Sequence, residues 1–254
     1  MQTLGRWAID RSQSYTRMFH IFVQTASAAA RLTFLNSAVF FVLIRQIYFT
    51  AVQPLTLIFI TALIIGSVTV HILLGILISL GAYEQIGEYL IRAMLHEIAP
   101  ITCTLIIVLR SGTATLTEVA LMKINKEINT LHSLRIPVAE YVFLPRLLAF
   151  LIAGPCLSLC FCVIALFGGF FTLGFMHDIN FANYLTRLLL AVEVSDVAIL
   201  LGKSVIMTGL VCLVALQRGM SVERSFTEVP IRLIQGMIQI ITLIITVEVI
   251  FNVF

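Results

Sequence analysis

The sequence predicts an all-α integral membrane protein with five transmembrane helices. Of its 254 residues, 60% are hydrophobic and only 11% are charged, whereas a soluble domain is about half apolar and a quarter charged. The apolar segments are long and unbroken, which favours helices over the short alternating strands of a membrane barrel. The net charge of +3 is too small to indicate nucleic-acid binding. We expect these charges to lie in loops that orient the chain.

The N-terminal region is predicted to lie at the membrane surface. Residues 1–20 carry several charges and no apolar core, so we expect no cleavable signal peptide. Segment 14–48 is apolar but interrupted by arginines, and its longest uncharged run, 32–44, is too short to cross a bilayer. It therefore predicts an amphipathic interfacial helix whose arginines extend to lipid headgroups. The alternative is a strained sixth span.

Five longer apolar segments are predicted to cross the membrane within a single domain, 1–254. They are 54–80, 98–122, 145–173, 197–216 and 231–254. Each is long enough to cross a hydrocarbon core of roughly 30 Å as a helix. The first contains His71 near its middle, which either lines a polar pathway or bonds to a neighbouring helix.

The second span carries charges that cannot face lipid. Arg110 lies near its middle, and an arginine there costs about 2.5–3.5 kcal/mol even on the lenient insertion scale. Glu118 lies roughly 12 Å further along the helix, too far to pair with Arg110. We therefore expect each to meet a partner on another helix or on a second copy of the chain. The small residues 111–115 let another helix approach closely.

The polar segment 123–134 predicts a short amphipathic helix outside the membrane. Ile124, Ile128 and Leu131 recur at helical spacing, and the other face is polar. Two interpretations fit this pattern equally well. The helix is either a solvated interfacial connection or a lever seated on a soluble partner.

The distribution of basic residues predicts the orientation of the chain. The N-terminal region, segment 123–146 and loop 218–232 hold 12 of the 16 lysines and arginines. The opposite face receives three: Arg92, Arg187 and Lys203. By the positive-inside rule, the N-terminus is cytoplasmic and the C-terminus lies outside.

No catalytic or metal motif is complete in this chain. Lys203-Ser204 looks like the end of a phosphate-binding loop, but Val197 stands where the first glycine is needed. His96-Glu97 begins like a zinc-protease helix, but Pro100 replaces the second histidine. The five cysteines lie in apolar runs, where they act as small hydrophobic residues. We therefore predict no catalytic residue, no metal site and no cofactor bound by this chain.

The stretch from His96 to Arg146 resembles a known family. The matching positions are the turn His96-Glu97-Ile98-Ala99-Pro100, the spacing from Arg110 to Glu118 with Gly112 and Ala114 in register, then Met122, Lys123, Ile128 and Leu131, and the opening Pro145-Arg146. These positions are similar to those of the MlaE/YrbE permeases, which are subunits of ABC transporters that move lipids with MCE proteins. The resemblance covers nearly the full chain.

The resemblance implies a bacterial inner-membrane permease subunit that moves phospholipid and contributes to outer-membrane lipid asymmetry. Similar proteins form homodimers with an N-terminal interfacial helix and a cytoplasmic coupling helix. Their partners are a cytoplasmic ABC ATPase, which holds ATP and Mg, a periplasmic MCE-domain protein and, we expect, a STAS-domain accessory subunit. The chain itself is then not an enzyme, and its C-terminus is periplasmic.

The resemblance also implies roles for individual residues. The residues expected to contact lipid are Glu97, His96, Ile98, Leu73, Leu77 and Leu80. Those expected to couple to the ATPase are Lys123, Asn125, Lys126, Glu127, Ile128 and Leu131. Arg110 and Glu118 are expected to be structural polar residues within the membrane.

Two other functions were weighed against this interpretation. An integral-membrane lipid-modifying enzyme needs paired acids or a histidine motif on the cytoplasmic face, and the sequence has neither. A secondary transporter is disfavoured because the chain has no internal repeat and only five predicted spans.

Overall fold

The computed structural model describes residues 2–31, 37–81, 85–176, 181–222 and 225–253, and every regular element in these ranges is helical. The helices are α1 (Gln2–Ala30), α2 (Ser37–Ile47), α3 (Leu55–Ser79), α4 (Ile86–Ile124), α5 (Glu127–Ser133), α6 (Leu144–Met176), α7 (Phe181–Ala191), α8 (Val194–Met220) and α9 (Glu228–Val253). Wide π-helical turns extend α2 (Tyr48–Val52), precede α6 (Ala139–Phe143) and interrupt α4 twice (Arg92–Ile98 and Val108–Gly112).

Among the described residues, five helical stretches are long and apolar enough to cross a membrane. They are Val39–Leu77, Ile86–Ile124, Ala139–Phe170, Val194–Met220 and Glu228–Val253. The predicted class, an all-α membrane protein with five spanning helices, is confirmed.

The first apolar stretch is longer than the predicted span 54–80. Residues Val39–Leu77 form 39 residues of nearly continuous helix, roughly 58 Å at ~1.5 Å per residue. Pro54 is tolerated in this stretch because it precedes the first turn of α3, where its missing N–H is not needed. Its carbonyl accepts the first bond of α3, from the Ile58 N–H at 2.9 Å. Residues 32–36, within the predicted interfacial segment, lie outside the described residues.

Two connections between the predicted spans are largely helical. The sequence indicates that segment 81–97 is a polar connection with an amphipathic second half, and in the structure α4 begins at Ile86 and buries one face of this segment, including Leu90 and Met94. The segment 174–196 contains α7, which is held by Tyr184. The Tyr184 hydroxyl donates to the Leu166 carbonyl at 3.1 Å, and burial raises the pKa of this tyrosine.

The centre of the bundle is built on close contact between α3 and α6. A Cβ atom added to Gly66 would lie 2.2 Å from the Ala165 carbonyl oxygen, and one added to Gly169 would lie 2.2 Å from Val70 Cγ2. The two helices can touch only because these positions lack side chains, which is how membrane helices gain packing energy. Helix α8 also packs against α6, and it contacts α4 and α9 as well.

Candidate functional site

The π-helical turn Arg92–Ile98 exposes a backbone carbonyl inside the bundle. Pro100 has no N–H group, so the carbonyl of His96, four residues earlier, has no α-helical donor at that position. The ammonium group of Lys203, on α8, donates to this oxygen at 2.5 Å. A proline on α4 therefore creates a binding point for a lysine on another helix.

Lys203 is the centre of a polar cluster that joins three helices. Its side chain is 2% exposed and forms an ion pair with Glu248 of α9 at 2.5 Å. Glu97 of α4 lies 4.0 Å from the same ammonium nitrogen. The Asn252 amide donates to Glu97 and Glu248 at 3.4 and 3.5 Å. We call His96, Glu97, Lys203, Glu248 and Asn252 the Lys203 cluster. Burying the charge of Lys203 away from water costs several kcal/mol, so the position of this lysine depends on its ion pair with Glu248.

A hydrogen bond to Asp196 positions the histidine of the cluster. The His96 Nε2 atom lies 2.8 Å from Asp196 Oδ1. The other Asp196 oxygen accepts the Glu193 N–H at 3.0 Å, within a capping box that begins α8. Asp196 thus caps one helix and fixes a side chain of another.

Glu97 is the more exposed of the two carboxylates in the cluster. Its side chain is 37% exposed, whereas Glu248 and Lys203 are 15% and 2% exposed. Two carboxylates share one lysine here, so the cluster has spare capacity to accept hydrogen bonds or a cationic group. Glu97 can therefore bind a polar group at the surface while the ion pair of Lys203 and Glu248 holds the rest of the cluster in place.

Sequence reasoning found only part of this site. His96 and Glu97 were expected there, but Lys203 was wrongly counted among the loop charges of one face, because its paired partners could not be seen in the sequence. Glu248, Asn252 and Asp196 were missed. One signal was available, since Glu248 is the only acid in the predicted span 231–254 and a lysine within a span needs an acid.

The apolar residues expected to contact lipid occupy different environments. Leu77 is 5% exposed within the core, Leu80 is 72% exposed beyond the end of α3, and Leu73 and Ile98 are half-buried. Leu77 therefore faces protein in this structure. The lipid contacts of this group stay a prediction.

The predicted coupling helix 123–134 is divided by a turn. Lys123 belongs to the end of α4 and donates to the Met220 carbonyl, and the chain turns at Lys126, whose φ of +62° is left-handed. In α5, Ile128 is buried and Leu131 packs against the core. Asn125, Lys126 and Glu127 are exposed. The anchoring residues of this helix are thus distinct from those available to a partner.

Arg110 and Glu118 each meet a polar group on another helical segment. Arg110 donates to the Gln53 side-chain oxygen at 3.1 Å. Glu118 pairs with Arg146 at 3.0 Å, and Arg146 also donates to the Val142 carbonyl at 2.9 Å. Both contacts are made within one copy of the chain.

Comparison with known proteins places this geometry in a family. A family model described as permease MlaE matches residues 43–254. The chain belongs to the MlaE permease family. The matched region contains the whole Lys203 cluster and α5.

Relatives within known proteins carry transporter names. The intermembrane phospholipid transport system permease protein MlaE of Haemophilus influenzae is 30% identical over 127 residues, which cover 50% of this chain and 49% of that protein. A probable ABC transporter permease of Rickettsia prowazekii is 26% identical over 155 residues, 61% of this chain and 60% of that protein. The chain thus matches about half to three fifths of the length of these two relatives.

Proposed function

We propose that this chain is the membrane subunit of an ABC transporter that moves phospholipid, with ATP hydrolysed by a separate cytoplasmic subunit. Membership in the MlaE permease family supports this proposal, and the relatives' names agree with it. The observation that carries it is the pairing of two surfaces along α4. Partly exposed Glu97 lies in the first third of this helix, and the exposed residues before α5 follow the end of the helix, roughly 40 Å further along.

At the first surface, the Lys203 cluster is the proposed contact for the lipid headgroup. Glu97 accepts hydrogen bonds from the headgroup, while His96, held by Asp196, lies beside it. Ile98, Leu73 and Leu80 lie on the apolar approach and are proposed to contact acyl chains. Leu77 contributes by packing behind them.

At the second surface, α5 is proposed to contact the ATPase. Asn125, Lys126 and Glu127 are exposed and provide the contact, while Ile128, Leu131 and Lys123 hold the helix to the bundle. Any displacement of α5 is transmitted directly to α4, because only a two-residue turn separates them.

The remaining partners follow from the family resemblance. We propose a homodimer in the bacterial inner membrane, with a periplasmic MCE-domain protein above it and a STAS-domain protein associated with the ATPase. The N-terminus is cytoplasmic in this arrangement and the C-terminus is periplasmic.

Purification of the tagged full chain with its chromosomal neighbours tests this function. We expect a stoichiometric ATPase subunit and bound phospholipid, both identified by mass spectrometry. A chain that purifies without any ATPase under conditions that preserve membrane complexes contradicts the proposal.

A further inference from the structure

A groove runs beneath α1 at the end of the bundle opposite the Lys203 cluster. One cleft of about 450 Å³ lies between α1, the Ala139–Phe143 turn and the end of α8. A neighbouring cleft of about 500 Å³ shares Gln24, Phe143 and Met220 with it, so the two are continuous. We call this the α1 groove. It lies where the spanning helix α8 ends, which is the depth of lipid headgroups.

A buried polar atom in the α1 groove has no partner among the described residues. Gln217 lines the groove and is 3% exposed, and no described group donates a hydrogen bond to its Oε1 atom. Buried acceptors without donors are rare in folded proteins, because each retains the cost of losing water. The oxygen is therefore suited to a ligand that brings its own N–H or O–H group.

The charges of the groove favour an anion. Arg17 and His20 lie three residues apart on α1 and line the first cleft, and Arg31 and His132 line the second. Opposing them is Glu140, which lies 4.0 Å from Arg31. Basic residues thus exceed acidic ones along the whole groove, and an arginine is well suited to hydrogen-bond a phosphate.

The apolar surroundings distinguish a lipid from a soluble phosphate. Ile21, Phe143 and Met220 form walls of the first cleft. These side chains provide an apolar surface for acyl chains directly adjoining the polar residues, which a soluble anion does not need.

We propose that the α1 groove binds the headgroup of a membrane phospholipid that carries a hydrogen-bond donor, as phosphatidylethanolamine and phosphatidylglycerol do. The phosphate lies against Arg17 and His20, and the headgroup ammonium or hydroxyl donates to Gln217. Phosphatidylcholine has no such donor and binds less well. This site is separate from the Lys203 cluster and does not depend on the proposed transport function.

Native mass spectrometry of the full chain, purified in an equal mixture of these three phospholipids, tests the site. We expect the wild type to retain the two donor-bearing lipids over phosphatidylcholine by about three- to tenfold, the effect of one hydrogen bond. Arg17→Gln should reduce retention of all three lipids. Gln217→Leu should abolish the preference without lowering the melting temperature, because it removes an unpaired buried oxygen. Arg45→Gln, on α2 outside the groove, is the matched control.

Three results would overturn this proposal. The first is a headgroup preference in Gln217→Leu equal to that of the wild type. The second is lipid retention in Arg17→Gln, an exposed position independent of core packing, equal to that in Arg45→Gln. The third is a gain in melting temperature from inorganic phosphate equal to that from phosphatidylethanolamine, which would assign the site to a soluble anion. If lipid is lost in Glu97→Ala but kept in Arg17→Gln, the second result has occurred, and the bound lipid belongs to the Lys203 cluster.

Discussion

At the scale of single residues, Pro100 explains why the Lys203 cluster forms where it does. A proline inside a helix leaves one carbonyl without a donor, and here a lysine from α8 supplies the missing bond. Glu248 also neutralises the charge of this lysine. The position of the Lys203 side chain is therefore set both by the backbone carbonyl and by the ion pair. A buried lysine with two kinds of partner is held far more rigidly than a surface lysine.

Removal of one member of the buried ion pair should destabilise the protein. Glu248→Leu leaves Lys203 with the more distant Glu97, and we expect a loss of about 3 kcal/mol in unfolding free energy. The double variant Lys203→Met, Glu248→Leu should recover most of this loss, because no uncompensated charge stays buried. Denaturant unfolding in detergent measures both. A double variant that is no more stable than Glu248→Leu contradicts this account.

Glu97 should matter for lipid rather than for folding. Its side chain is partly exposed, so Glu97→Ala is expected to leave assembly intact while reducing phospholipid transport about tenfold, the equivalent of one charged hydrogen bond. Transport by the assembled complex in proteoliposomes measures this. Glu88→Ala, at an exposed acid earlier on α4, is the matched control. Normal transport in Glu97→Ala would exclude this residue from the lipid site.

At the scale of helices, glycine positions decide how closely the elements pack. Gly66 faces the α6 backbone directly, whereas Gly75 on the same helix has no atom within 4 Å of an added Cβ. Helix α5 shows the opposite design, since its apolar residues anchor it and its charges stay exposed. Close packing thus fixes the centre of the bundle and leaves one short element available for a partner.

The two glycines of α3 should respond differently to alanine. Gly66→Ala forces α3 and α6 apart, and we expect a loss of about 1–3 kcal/mol, typical of overpacking. Gly75→Ala should be neutral or slightly stabilising, because alanine favours helices. Melting temperatures from size-exclusion chromatography after heating compare them. Equal melting temperatures would show that the contact between α3 and α6 adapts to an added methyl group.

Exchange of the exposed charges of α5 should weaken ATPase binding. Lys126→Glu combined with Glu127→Lys keeps the net charge and leaves the anchoring residue Ile128 in place, so only the surface pattern changes. We expect several-fold less ATPase to copurify with the tagged chain. Arg232→Glu, at the same end of the molecule but on α9, is the control. Normal ATPase recovery would place the contact elsewhere.

At the scale of the whole molecule, the charge distribution is more one-sided than the sequence suggested. Lys203 is buried within the bundle, so the face opposite α5 keeps only Arg92 and Arg187 of the basic residues assigned to it. This strengthens the orientation expected from the positive-inside rule. In that expected orientation, the α1 groove lies on the cytoplasmic side and the Lys203 cluster on the other.

Reporter fusions should reveal this orientation. Alkaline phosphatase fused after Phe254 is expected to be active, because the C-terminus is predicted to lie in the periplasm. The same reporter fused after Ser133 should be inactive, while a green fluorescent protein there should fluoresce. The reverse pattern at both positions would invert the topology.

The sequence was most informative where a single segment carried the signal. Long apolar runs predicted the five spans, and the charges of Arg110 and Glu118 predicted partners on other helices, which the structure supplies as Gln53 and Arg146. The Lys203 cluster was less predictable because its members come from three helices and one contact uses a backbone carbonyl. The amphipathic second half of 81–97 was recognised, but its continuity with the spanning helix was not, because the charges of this segment indicated a connection.

The 39-residue apolar stretch Val39–Leu77 has a consequence for the surrounding lipid. A straight helix of this length could match a core of about 30 Å only by tilting well beyond the usual range of 0–40°. The wide turn at Tyr48–Val52, followed by Gln53 and Pro54, provides a place to bend. With α3 crossing the membrane, we expect α2 to lie obliquely in one leaflet. Such an inclusion deforms the adjacent leaflet, so we expect the protein's behaviour to vary with bilayer thickness.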